Sequence, residues 1–164
     1  MANPIASERF SHEVLSILEE TFEHPQGAFL DKGTSLFETL TTISAEEASR
    51  PVSANCASIA AQVAHIHFYI DLVLQFIRGE NPGHADWGHI WHTVEKVTPE
   101  EWEASKTRLR EAYLTIHDRI TNFPAVWDIE NSLSGTIALV AHAAYHLGEI
   151  RQALCTLRND GVTS

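Results

Sequence analysis

Four long stretches of the chain carry apolar side chains three and four residues apart, and a proline or glycine interrupts the pattern between them. That spacing lines one side of an α-helix, so the chain is committed to helices that bury one face against each other. The first stretch runs from about Ser7 to Glu23, with Phe10, Val14, Ile17, Leu18 and Phe22 on one face, and stops at Pro25 and Gly27. The second runs from about Asn55 to Arg78 along Ile59, Val63, Ile66, Ile70, Val73 and Ile77, and Gly79 ends it. The third opens at Thr98 and Pro99, a capping residue followed by a first-turn proline, with Glu100 and Glu101 favourable at that end of the helix dipole. It ends near Asn122, before Pro124. The last begins between Asp128 and Asn131 and reads through Ile137, Val140, Ala144, Leu147 and Leu154 to about Arg158.

Between these lie smaller pieces. Leu36 to Ile43 is a short amphipathic segment, AEEASRPVSAN after Ser44 reads as a connector, and HADWGHIWHTV reads as an irregular or helical cover over one end. No alternating strand pattern, phosphate-binding glycine loop or internal repeat occurs. A chain of 164 residues supports one core. The expected fold is therefore all-α and single-domain over 1–164: an up-and-down bundle of four long helices with short extra helical segments.

Charge narrows the partners. The 22 acidic and 11 basic side chains leave a formal charge of -11, which repels nucleic acids and anionic membrane surfaces. No stretch approaches the roughly 20 uninterrupted apolar residues of a membrane span, and MANPIASERFSHEV lacks the pattern of a secretory signal, so a cytoplasmic location is expected. The two cysteines, Cys56 and Cys155, have no CxxC spacing and are expected to be small buried residues.

Histidines carry the sharper signal. His142 and His146 stand four apart in the last helix, on one face and about one turn from each other. From Ile137 to Leu147 every other residue except Tyr145 is aliphatic, which predicts burial on most sides. The second helix offers His65 and His67, about 200° apart on a helical wheel, so that only one can face inward. His65 shares its stripe with Ala61, Phe68, Leu72 and Phe76, whereas His67 shares its stripe with Asp71, Gln75 and Arg78, and this selects His65 for the interior. If the second and last long helices run parallel, His65 and His142 fall within a turn of one another at about 1.5 Å of rise per residue.

Three neutral imidazoles suit Zn²⁺, Ni²⁺, Fe²⁺ or Cu²⁺ better than Mg²⁺ or Ca²⁺, and three protein ligands leave a position open for water or substrate. The alternative is a set of separate core histidines satisfied by carbonyls or carboxylates. HAAYH lacks the glutamate of HExxH, which disfavours a zincin-type peptidase.

SIAAQVAHIHFYID at 58–71 and GTIALVAHAAYHLGEIRQ at 135–152, together with the opening ERF and the LFETL region, resemble the DinB/YfiT-like superfamily of metal-dependent four-helix-bundle proteins. The resemblance covers most of the chain. It implies three histidine ligands, matched here by His65, His142 and His146, a divalent transition metal with Zn or Ni foremost and Fe next, and a homodimer. It also implies a small-molecule substrate and thiol-dependent S-transfer or isomerisation with a low-molecular-weight thiol, while a water activated at a tris-histidine metal gives hydrolysis as the other expected reaction type. No further signature selects a thiol, and fold likeness alone supplies no reaction. A metal- or ligand-binding module without turnover, or a dimeric scaffold, is the competing expectation.

Tyr145, Glu149 and Tyr69 flank the histidines and are candidates for proton transfer or for holding a ligand in place. Against this, Tyr145 reads as core with its hydroxyl at the rim, and Glu149 as a partner of Arg151 or another surface cation. Trp87, Trp91, His89 and His92 are candidates for the mouth of the site, or for simple packing.

Overall fold

The computed structural model describes residues 5–80, 83, 88, 91, 94 and 96–160. Among them the fold is all helical, with no strand. The helices are α1 (Ser7–Phe22), α2 (Leu36–Thr41), α3 (Ala45–Ala48), α4 (Ile59–Ile77), α5 (Pro99–Asn122) and α6 (Ser132–Asp160), with a 3-10 turn at Pro124–Asp128 before α6.

Local chemistry explains the boundaries. Ser58 caps α4 by accepting the Ala61 N–H at 3.1 Å, so the helix starts a few residues later than expected from about Asn55. It ends at Gly79, whose φ of 74° suits glycine, and there the Glu80 N–H reaches the Gln75 carbonyl at 3.0 Å while the Gly79 N–H reaches Phe76 at 2.9 Å. Thr98 and Glu101 cap each other's backbone N–H groups at the start of α5. The same reciprocal cap, Ser44 with Glu47, turns part of the expected connector into α3.

The four long helices share a core in which α4 packs on α5 and α6, and α1 packs on the same two. Their directions follow from pairs along each interface. Glu19 meets His117 and, farther along α1, Glu23 meets Arg110, so α1 and α5 are antiparallel. Tyr69 stacks on His142, while the earlier Ala61 lines a cavity with the later Ala153, so α4 and α6 are antiparallel. Val97, just before α5, donates its N–H to Ser49 at 2.9 Å, and Ser58 at the start of α4 reaches the Val94 carbonyl at 3.5 Å. Helices α4 and α5 therefore start at one end and run parallel. This corrects the up-and-down order and the parallel run of the second and last long helices. The connection between Ile77 and Pro99 is long enough to recross the length of α4, which periodicity within helices does not report.

Trp102 is buried at the head of α5 and donates its indole N–H to the Ile43 carbonyl at 2.8 Å. Farther along the same core, Phe22, Phe37 and Tyr113 form an aromatic cluster. By length and composition α4 would pass for a membrane span, yet its apolar surface is what the core of this fold consumes. Both cysteines are exposed, contrary to expectation: Cys56 lies in the irregular run before the α4 cap, and Leu154 and Leu157 take the inward positions beside Cys155. Ile137 and Tyr145 are also exposed, so α6 keeps one apolar face outward where burial on most sides was expected.

Glu20 has no exposed surface and accepts N–H groups of Ala28, Phe29 and Leu30 at 3.0, 2.7 and 2.7 Å. Burial alone would raise its pKa, but these backbone donors outweigh it and hold the carboxyl at about 2, against an ordinary 4.5. A carboxylate depressed on folding contributes stability above its unfolded pKa and loses it as pH falls through the folded one. Urea unfolding should therefore show stability falling between about pH 4.5 and 2. Glu20→Gln should be less stable at neutral pH and flatter across that window.

Candidate metal centre

Helix α4 carries His65 inward at 5% exposure, and α6 carries His142 and His146 on the facing side, with His146 at 4%. The Nε2 of His65 lies 2.9 Å from that of His142, which lies 3.2 Å from that of His146. One ligand atom from each ring falls within 4.8 Å of the other two, close enough to share an ion. His67 stays outside this group, partly exposed and 3.6 Å from Asp71.

The surroundings set the state of the rings. Burial lowers the pKa of His65 to about 4, with His146 adding to the shift and Glu149 opposing it. Burial likewise lowers His142 to about 4, helped by His146 and His65, and it lowers His146 against the pull of Glu149. All three are neutral near pH 7 and keep a lone pair for coordination. His146 donates its Nδ1–H to Glu149 at 2.8 Å, which leaves its Nε2 bare and aimed at the other rings.

The Nδ1 of His142 is buried without a hydrogen-bond partner. The alternative in which each ring is satisfied by a carbonyl or carboxylate therefore fails for His142. Convergent Nε2 atoms on neutral rings are the donor set of a borderline divalent cation, and the residues present fit such an ion. Tyr69 stacks on His142 at 4.1 Å between centroids and Trp91 on His65 at 4.2 Å, so aromatic faces hold two of the three ring planes.

The other candidates fall into place around this group. Glu149 pairs with His146, not with Arg151, and Tyr145 is 62% exposed, outside the core where it was expected, with its hydroxyl pKa raised first by a hydrogen bond to Glu149. Burial raises the Tyr69 hydroxyl. Trp87, His89 and His92 lie outside the described residues.

A cavity of about 1240 Å³ has Trp91, Tyr145 and Glu149 in its wall, and of these Trp91 stacks on His65 and Glu149 pairs with His146. It runs past Gln62 and Ser58 toward Cys56 and Lys96, so the supposed connector supplies part of a binding surface. Sequence reasoning offered Trp91 for the mouth of the site but missed the connector's share of this wall. The one available signal was Gln62, a polar residue three before His65 in an otherwise apolar stripe.

Among the three rings Glu149 hydrogen-bonds His146 alone, which makes it a positioning residue. Glu149→Ala should weaken zinc binding by about 10- to 100-fold, measured by chelator competition, with little change in the fold. Unchanged affinity would remove that role.

Comparison with known protein families, curated proteins and solved structures finds no match for the chain.

Proposed function

We propose that the chain is a DinB-like four-helix metalloprotein that binds one divalent transition-metal ion, Zn²⁺ or Ni²⁺ before Fe²⁺, through the Nε2 atoms of His65, His142 and His146. The single observation that carries this reading is the convergence of those three neutral rings within 4.8 Å. A divalent ion held by these three histidines would supply Lewis acidity toward a water or a small thiol. The reaction type that follows is hydrolysis or thiol S-transfer on a small molecule.

The cavity walled by Trp91 and Glu149, which touch His65 and His146, favours an enzyme over a binding module or scaffold, because a structural metal needs no substrate-sized space nearby. In this reading Trp91 and Tyr69 orient the rings and Glu149 fixes the His146 tautomer. Glu149 and Tyr145 both line the cavity and are placed to take or give a proton there. The outward apolar residues of α6, Leu133 and Ile137 among them, support a homodimer.

Cobalt substitution tests the open position. Co²⁺-loaded protein should show visible absorption of a low-coordinate site that changes when azide or 2-mercaptoethanol is added. A spectrum indifferent to both would leave the ion structural and remove the enzymatic reading.

A further inference from the structure

Gln62 is 7% exposed on α4, and its carboxamide oxygen is buried without a hydrogen-bond partner. A buried acceptor left without a donor costs free energy, which an internal N–H brought within reach would recover. The residue stands three before His65, on the same side of the helix and about 60° away around its axis. Helical side chains lean back toward the N-terminus, which carries the His65 ring over the turn that holds Gln62.

Coordination would create such a donor. The Nε2 atoms of His65 and His142 lie 2.9 Å apart, so in the metal-free molecule one hydrogen sits between them, and the ring that carries it has a bare Nδ1. With all three Nε2 lone pairs given to an ion, each neutral ring carries its hydrogen on Nδ1 instead. The Nδ1 of His65 is buried, so the N–H formed there needs an acceptor inside the protein. His146 meets the same need by pairing its Nδ1 at 2.8 Å with Glu149, which also lies three residues away on its own helix.

We propose that Gln62 is a second positioning residue of the metal centre: with the ion bound, its carboxamide oxygen accepts the His65 Nδ1–H and fixes that ring as Glu149 fixes His146. The inference rests on the three-histidine metal site. It gives Gln62 opposite effects in the two states, since its oxygen destabilises the metal-free chain and supports the loaded one.

Zinc affinity by chelator competition and the metal-free melting temperature, both measured on wild type, Gln62→Met and Gln62→Glu, test it. Gln62→Met keeps the size without the acceptor and should bind zinc about 10- to 100-fold more weakly, the range for losing such a partner. Its metal-free midpoint should equal or exceed that of wild type, because an unpartnered buried oxygen gives way to an apolar end. Gln62→Glu keeps an acceptor and should hold zinc at least as tightly as wild type. Zinc affinity unchanged in Gln62→Met, or as weak in Gln62→Glu as in Gln62→Met, overturns the proposal. So does a weaker affinity in Gln62→Met that comes with a lower metal-free midpoint, since lost packing then explains it. A wild type that takes up no zinc removes the metal centre and this role together, whereas uptake that Gln62→Met leaves unchanged removes this role alone.

Discussion

Zinc added to metal-free protein is expected to raise its melting temperature by about 10 °C, and the same addition is expected to leave His146→Ala unmoved. The gain follows from linkage: an ion that binds only the folded chain stabilises it by about 4 kcal/mol when present at a thousand times its dissociation constant. In a domain of this size each kcal/mol moves the midpoint by roughly 2–4 °C. His146 is the strongest choice for removal because it is buried, oriented by Glu149, and close to the central His142 ring. Its loss leaves two ligands and an open side. His65→Ala should behave alike, since its ring is the one ligand of the triad that comes from the other helix. His67→Ala should keep the full zinc response, because His67 faces Asp71 outside the cluster. Differential scanning calorimetry with and without chelator reads all four proteins.

The second large effect concerns the fold itself. Trp102→Ala should destabilise the protein by about 3–5 kcal/mol, the range for removing a large buried aromatic ring. Trp102 is 1% exposed, and its indole N–H is the donor to the Ile43 carbonyl, so the substitution opens a cavity and strips that carbonyl of its partner. The contact ties the α2–α3 segment to the head of α5, and that segment leads into the wall of the cavity. Trp102→Phe fills most of the volume without restoring the hydrogen bond and should lie between the two. Chemical denaturation of the three proteins at neutral pH measures the series, and equal midpoints would show that the ring carries no such weight.

Helix limits were legible wherever one residue type dictates backbone geometry. Thr98 and Pro99 start α5, and Gly79 ends α4, because capping and positive φ are local requirements. Helix α3 was hidden because its only marks are a serine and a glutamate three apart in a polar run. The choice of His65 over His67 was legible because helical neighbours reveal which side is apolar. Direction was not: α4 and α5 run parallel through a connection whose path periodicity cannot report. The burial expected for Cys56 and Cys155 failed for a related reason, since a residue type does not determine which face of its helix, or which side of its loop, meets the core. Around the rings, the Glu149 contact with His146 spans three residues of one helix and could be anticipated. The stacking of Trp91 on His65 and the cavity beyond Gln62 depend on tertiary placement.

Elemental analysis of the native protein, purified without a histidine tag, tests the central claim most directly. The predicted result is about one equivalent of zinc or nickel, or else iron, per chain, lost in His65→Ala and His146→Ala. A native protein that carries no stoichiometric transition metal, and takes up none when zinc or nickel is supplied, would contradict it.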